Sequence, residues 1–147
     1  MKKIFLTTSI VLLTVISMVG QKSAIFSSNG KAIRGYDPVS FFSESKAVPG
    51  SDTLTYSWQG ATWLFSSQAN RELFRTSPEK YAPQYGGYCA YGAADGHKAP
   101  TETDTWTILN NKLYFNYNKE VRQSWNKNRQ ALIEKADKQW PEIKDKG

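Results

Sequence analysis

A chain of 147 residues, 39% hydrophobic and 14% aromatic, is long enough for one packed domain and little more. Its formal charge of +6 is intermixed with Glu and Asp, which excludes the contiguous basic face that nucleic-acid binding requires. A single cysteine excludes an internal disulfide, so stability rests on a hydrophobic core rich in Trp, Tyr and Phe. Met1-Lys2-Lys3 followed by the uncharged run Ile4 to Gly20 has the form of an export signal. The run falls slightly short of the roughly twenty residues of a full membrane span. Cleavage is expected near residues 20–24, leaving no stable membrane span and a chain that is periplasmic or secreted. Removal of Lys2 and Lys3 leaves a formal charge of +4.

Residues 25–31 are small and polar and read as a disordered lead-in, followed by one domain over 32–141 and a polar tail over 142–147. Asp37-Pro38 predicts a helix start, with Asp37 as N-cap and Pro38 at the first helical position, running to about Phe42. Leu54, Tyr56 and Trp58 alternate with polar residues, as do Trp63 and Phe65, and Gln59-Gly60-Ala61 joins them into a hairpin. Ser66 or Ser67 caps a helix to about Arg75 that turns Leu73 and Phe74 inward. Ser77-Pro78 opens another short turn, which Pro83 stops. A second hairpin joins Asp104–Leu109 to Lys112–Asn116 through Asn110-Asn111, two residues that tolerate positive φ. Val121, Trp125, Leu132, Ala136 and Trp140 then form a helical stripe that Pro141 ends. The expected fold class is α+β: a small antiparallel sheet of two hairpins packed with short helices and a longer C-terminal helix.

The stretch Tyr81 to Pro100 concentrates the chemistry. It holds the only cysteine, Cys89, the only histidine, His97, four of the eight tyrosines and four of the ten glycines. A thiol and an imidazole with seven residues between them in a tightly folded loop can meet one soft metal ion. They can equally be one buried thiol and one solvated imidazole on the Asp95-Gly96 turn. No nucleophile elbow, cysteine-protease signature, phosphate-cradling loop, dinucleotide fingerprint or His-Glu-x-x-His motif is present, so the expectation is a non-catalytic protein.

Five segments in order resemble the YHS domain family, in particular its exported single-domain bacterial members. They are Arg34-Gly-Tyr-Asp-Pro-Val-Ser-Phe-Phe42, Tyr56-Ser-Trp-Gln-Gly-Ala-Thr-Trp-Leu-Phe65, Asn70-Arg-Glu-Leu-Phe74, the run from Pro78 to Tyr91, and Leu113-Tyr-Phe-Asn-Tyr-Asn118. The resemblance implies a metal-binding module with Cys89, His97 and Asp37 as its candidate ligands. Two features depart from the pattern. Ser40-Phe41-Phe42 follows Val39 where relatives commonly carry a cysteine, and the Tyr-His-Ser motif of the family name is missing.

One Cys and one His leave a tetrahedral Zn(II) site two ligands short, whereas Cu(I) accepts fewer donors, so copper is the preferred ion of the two. Asp37 also has a complete structural account as an N-cap. A different reading makes the chain a metal-free interaction or small-ligand-binding domain, with an unidentified protein partner, whose recognition loop is Tyr85, Gly86, Gly87, Tyr88 and Tyr91. A third gives Cys89 a thiol-dependent redox role. The oligomeric state is left open.

Overall fold

The computed structural model describes residues 23–147, so the export signal expected over Met1–Gly20 lies outside the described residues. The fold class is α+β. Its first strands, β1 (Ser27–Ser28) and β2 (Lys31–Ala32), pair antiparallel across Asn29-Gly30, both of which take positive φ as a tight hairpin turn demands. This corrects the disordered lead-in. Ile25 and Phe26 are buried, Phe26 N–H donates to Gly86 O at 2.9 Å, and Ile33 N–H donates to Phe26 O at 3.0 Å. Two adjacent apolar side chains and a turn suffice to anchor a short segment when a groove in the domain receives them.

Helix α1 (Ser40–Ser43) starts two residues later than expected, with Val39 rather than Asp37 at the cap position; Asp37 Oδ1 accepts from Val39 N–H at 2.9 Å in the turn that leads into it. Strands β3 (Ser51–Trp58) and β4 (Ala61–Phe65) form the expected hairpin about Gln59-Gly60. Strand β4 also pairs with β2 in parallel, giving a four-stranded sheet of order β1-β2-β4-β3. The ordered lead-in therefore turns an expected hairpin into part of a mixed sheet.

Helix α2 (Gln68–Thr76) is capped by Ser67, whose hydroxyl accepts from Asn70 N–H at 3.1 Å. It buries Phe74 completely but leaves Leu73 45% exposed, against the expectation that both face inward. In a helix, neighbours in sequence point about 100° apart, so one narrow contact with the sheet takes Phe74 and not Leu73. Helix α3 (Pro78–Tyr81) has its proline in the first turn, and α4 (Ala90–Ala94) rises from the Tyr/Gly loop. Strands β5 (Thr107–Leu109) and β6 (Lys112–Tyr114) form a separate two-stranded sheet, with Asn110 and Asn111 at φ 51° and 58°.

The C-terminal stripe forms two helices, α5 (Lys119–Lys127) and α6 (Arg129–Ile143), broken at Asn128. Pro141 does not end α6. Ile143 beyond it is buried and Trp140 meets Tyr85 edge-on, 6.0 Å between ring centroids, so tertiary burial carries the helix past a residue that removes one hydrogen bond. Two apolar clusters result. One centres on Trp63, Phe65, Phe74 and Phe115 beside the large sheet, the other on Tyr85, Tyr114, Trp125 and Ala136 under α6.

Candidate functional site

Cys89 stands where three segments meet. Its N–H donates to Ala99 O at 3.0 Å, the next N–H, of Ala90, donates to Phe115 O at 2.9 Å, and its carbonyl accepts from Ala93 N–H as α4 begins. The side chain serves as the N-cap of α4, a place usually taken by an oxygen, and Sγ accepts from Gly92 N–H at 3.4 Å. On its other side Sγ donates to Asn116 Oδ1 at 3.6 Å. Burial pushes the thiol above the ordinary cysteine range, against an opposing pull from the backbone N–H groups of Gly92, Tyr117 and Tyr91. At neutral pH the sulfur is therefore a protonated thiol.

His97 belongs to the same site. Its N–H donates to Gly92 O at 3.0 Å, folding the Asp95-Gly96 turn back over α4. A Cβ on Gly92 would lie 3.3 Å from His97 Nε2 and 3.3 Å from His97 O, so the imidazole rests where a side chain at 92 would crowd it. Cys89 and His97 together line one open cavity of about 310 Å³, with Tyr91, Gly92, Ala99, Tyr117 and Val121. Cys89 is only 2% exposed while His97 is in the exposed class, which places the thiol on the inner wall and the histidine at the mouth.

Sequence reasoning does not single out Asn116, although it lies inside the Leu113–Asn118 segment. It is fully buried, and Tyr91 N–H donates to Oδ1 at 3.3 Å, which fixes the amide orientation. Its Nδ2 has no hydrogen-bond partner among the described residues. Thr105 holds the Asn116 backbone from both sides, accepting its N–H at 2.9 Å and donating to its carbonyl at 2.7 Å. Gly92 is likewise visible in the sequence only as one glycine among several; its role depends on where His97 folds.

Asp37 lies apart from this cavity. It is fully buried, and its carboxylate accepts from Val39 N–H, from Ser66 N–H at 2.8 Å, from Ser66 Oγ at 2.6 Å and from Asn70 Nδ2 at 2.7 Å. Both oxygens are engaged by protein donors, which corrects its candidacy as a metal ligand. It ties the start of α1 to the start of α2.

The expected recognition loop is also accounted for by packing. Tyr85 and Tyr88 are buried; Tyr85 OH donates to Asp137 Oδ1 at 2.9 Å and Tyr88 OH donates to Ser23 O at 2.7 Å. Gly86 and Gly87 hold φ of 62° and 86°. A Cβ on Gly86 would overlap Ala24 O, and one on Gly87 would lie 2.8 Å from Ile33 Cγ2. Residues 23–26 of the chain itself pack against this loop, Tyr85 and Gly86 also line a cavity of about 680 Å³ beside Trp140 and Asp137, and only Tyr91 of the five lines the Cys89 cavity.

A family model described as YHS domain matches residues 39–85, from the start of α1 to the Tyr/Gly loop. Over those residues the chain carries a YHS domain. No significant match to it was found among curated proteins or among solved structures. In this YHS-domain chain the matched segment ends before Cys89 and His97, so the cavity is built from residues C-terminal to the match. No group of three or more His, Cys, Asp or Glu side chains placed to hold a metal ion occurs among the described residues. That donor set does not suit Zn(II), which takes four ligands. A two-coordinate soft cation asks for fewer donors, and Cys89 and His97 line one cavity.

Proposed function

We propose that this YHS-domain protein is an exported, non-catalytic module that binds Cu(I) in preference to Zn(II) through Cys89 Sγ and the His97 imidazole. Its role on this reading is to hold or hand on the ion outside the cytoplasm. The observation that carries the reading is the shared cavity. Cys89 and His97, with seven residues between them, line one space, and the absence of a side chain at Gly92 leaves room for the imidazole beside it.

Each residue has a task. Cys89 supplies the soft donor, and a cation entering the cavity displaces the thiol proton. His97 at the mouth supplies the second donor and is reachable by a partner that delivers or removes the ion. Asn116 and the Gly92 N–H position the sulfur. Without the ion, burial keeps the thiol protonated, and a protonated, buried thiol resists oxidation in an oxidising compartment. The same protonation weighs against a redox role, because the thiolate is the reactive species and the sulfur's hydrogen-bond partners are amides rather than an imidazole.

Native mass spectrometry of the chain with equimolar Cu(I), with Zn(II) and without added metal tests the proposal. Wild type is expected to retain one Cu(I) and no Zn(II), and Cys89→Ser to retain neither. Wild type without bound copper, or Cys89→Ser with it, overturns the reading.

A further inference from the structure

A second cavity, about 560 Å³ in volume, opens between α1, the α2–α3 corner and β5. Its size falls within the roughly 300–1,000 Å³ range of small-molecule sites. The walls are rings. Phe42 and Tyr81 meet edge to face at 5.7 Å between centroids, and Phe41 and Trp106 tilt together at 5.7 Å. Such mutually braced rings form the site before any ligand arrives, which removes most of the ordering cost of binding. Leu73 lies on the cleft as well, and its exposure among the described residues is matched only by Tyr117 in the large hydrophobic class.

The polar part of the lining is one-sided. Lys80 brings an ammonium, poised 5.2 Å from the centroid of the Tyr81 ring, and Ser43, Ser45 and Asn111 bring hydroxyl and amide groups. No carboxylate lines the cleft, and Lys80 makes no ion pair with one among the described residues. An apolar, aromatic cleft with one uncompensated cation at its edge is complementary to a molecule with an apolar body and one acidic head.

From this cleft we infer that the protein carries a binding site for a small amphipathic carboxylate, its apolar part between Phe42, Trp106 and Leu73 and its carboxylate on Lys80 Nζ. The site is separate from Cys89 and His97, neither of which lines it. It gives the domain a ligand that does not depend on metal.

The test titrates the full chain with 4-phenylbutyrate and with the uncharged 4-phenylbutan-1-ol, followed by calorimetry and by amide and indole NMR shifts. Expected are saturable one-to-one binding of both, the carboxylate about tenfold tighter for one charge-assisted contact, and shifts centred on Leu73 and the Trp106 indole. Lys80 is exposed, so Lys80→Met is expected to fold; it should bring the carboxylate down to the alcohol's affinity and leave the alcohol unchanged. Leu73→Glu should weaken both, and Cys89→Ser neither. Absence of saturable binding, an unchanged carboxylate-to-alcohol ratio in Lys80→Met, or shifts on another face would overturn the inference. Copper binding lost in Cys89→Ser with 4-phenylbutyrate binding intact keeps this result distinguishable from the metal reading.

Discussion

Asp37 and Cys89 occupy comparable places in opposite surroundings. Each is buried, each side chain accepts a backbone N–H close to the start of a short helix, and each is a candidate ligand on chemical grounds. Around Asp37 the chain supplies four donors at 2.6–2.9 Å, so the carboxylate has no capacity left for a cation. Around Cys89 it supplies weaker partners, the backbone N–H groups of Gly92, Tyr117 and Tyr91 and one amide oxygen, and Cys89 and His97 line a shared cavity. Burial alone therefore does not separate a structural group from a functional one. Weaker partners beside an adjoining cavity are what make Cys89 the better candidate.

The largest effect expected on the Asp37 side is a stability loss. Asp37→Ala leaves the Ser66 and Val39 N–H groups without their acceptor and unties α1 from α2, and should cost about 3–4 kcal/mol in urea unfolding. The folded fraction should keep full Cu(I) stoichiometry. A drop in stoichiometry would erase the contrast between the two residues.

Gly92→Ala sharpens the other side. Its φ lies outside the left-handed region, so the new methyl acts by crowding His97 Nε2, and Cu(I) affinity should fall about tenfold with stability changed by less than about 1 kcal/mol. Unchanged affinity in a competition titration would remove the imidazole from the ligand set.

The pH dependence carries a sign. Because the folded thiol titrates above its ordinary range, Cu(I) must displace a proton, and affinity should climb about tenfold per pH unit from about pH 7 until the thiol ionises. Burial also raises Tyr85, Tyr88 and Tyr114. Folded values above unfolded ones give stability that is whole below about pH 8.5 and declines as pH rises further. Tyr85→Phe should cost about 1 kcal/mol near neutrality, through the lost Asp137 hydrogen bond, and make the alkaline decline in Tm shallower.

Much of the fold is legible in the sequence because its signals are local. The Asn110-Asn111 turn, the Ser67 cap and the Asp37-Pro38 helix start each reduce to a residue pair with one favoured backbone geometry. The features that escape a sequence reading depend on distant partners. Asn29-Gly30 is a turn signal of the same kind, but two-residue strands become ordered only because β4 and the Tyr/Gly loop receive them. Leu73, Pro141 and Asn128 depart from expectation where tertiary contact overrides periodicity or propensity. At the candidate site, the Cys and His types announce themselves, while Asn116 and Gly92 gain meaning only once three segments meet around the sulfur.

X-ray absorption at the copper edge of the Cu(I)-loaded chain addresses the central claim most directly. A two-coordinate ion with one sulfur and one imidazole nitrogen is the result expected here, with the nitrogen signature lost in His97→Ala. A copper shell without sulfur, or one unchanged in Cys89→Ser, would contradict it.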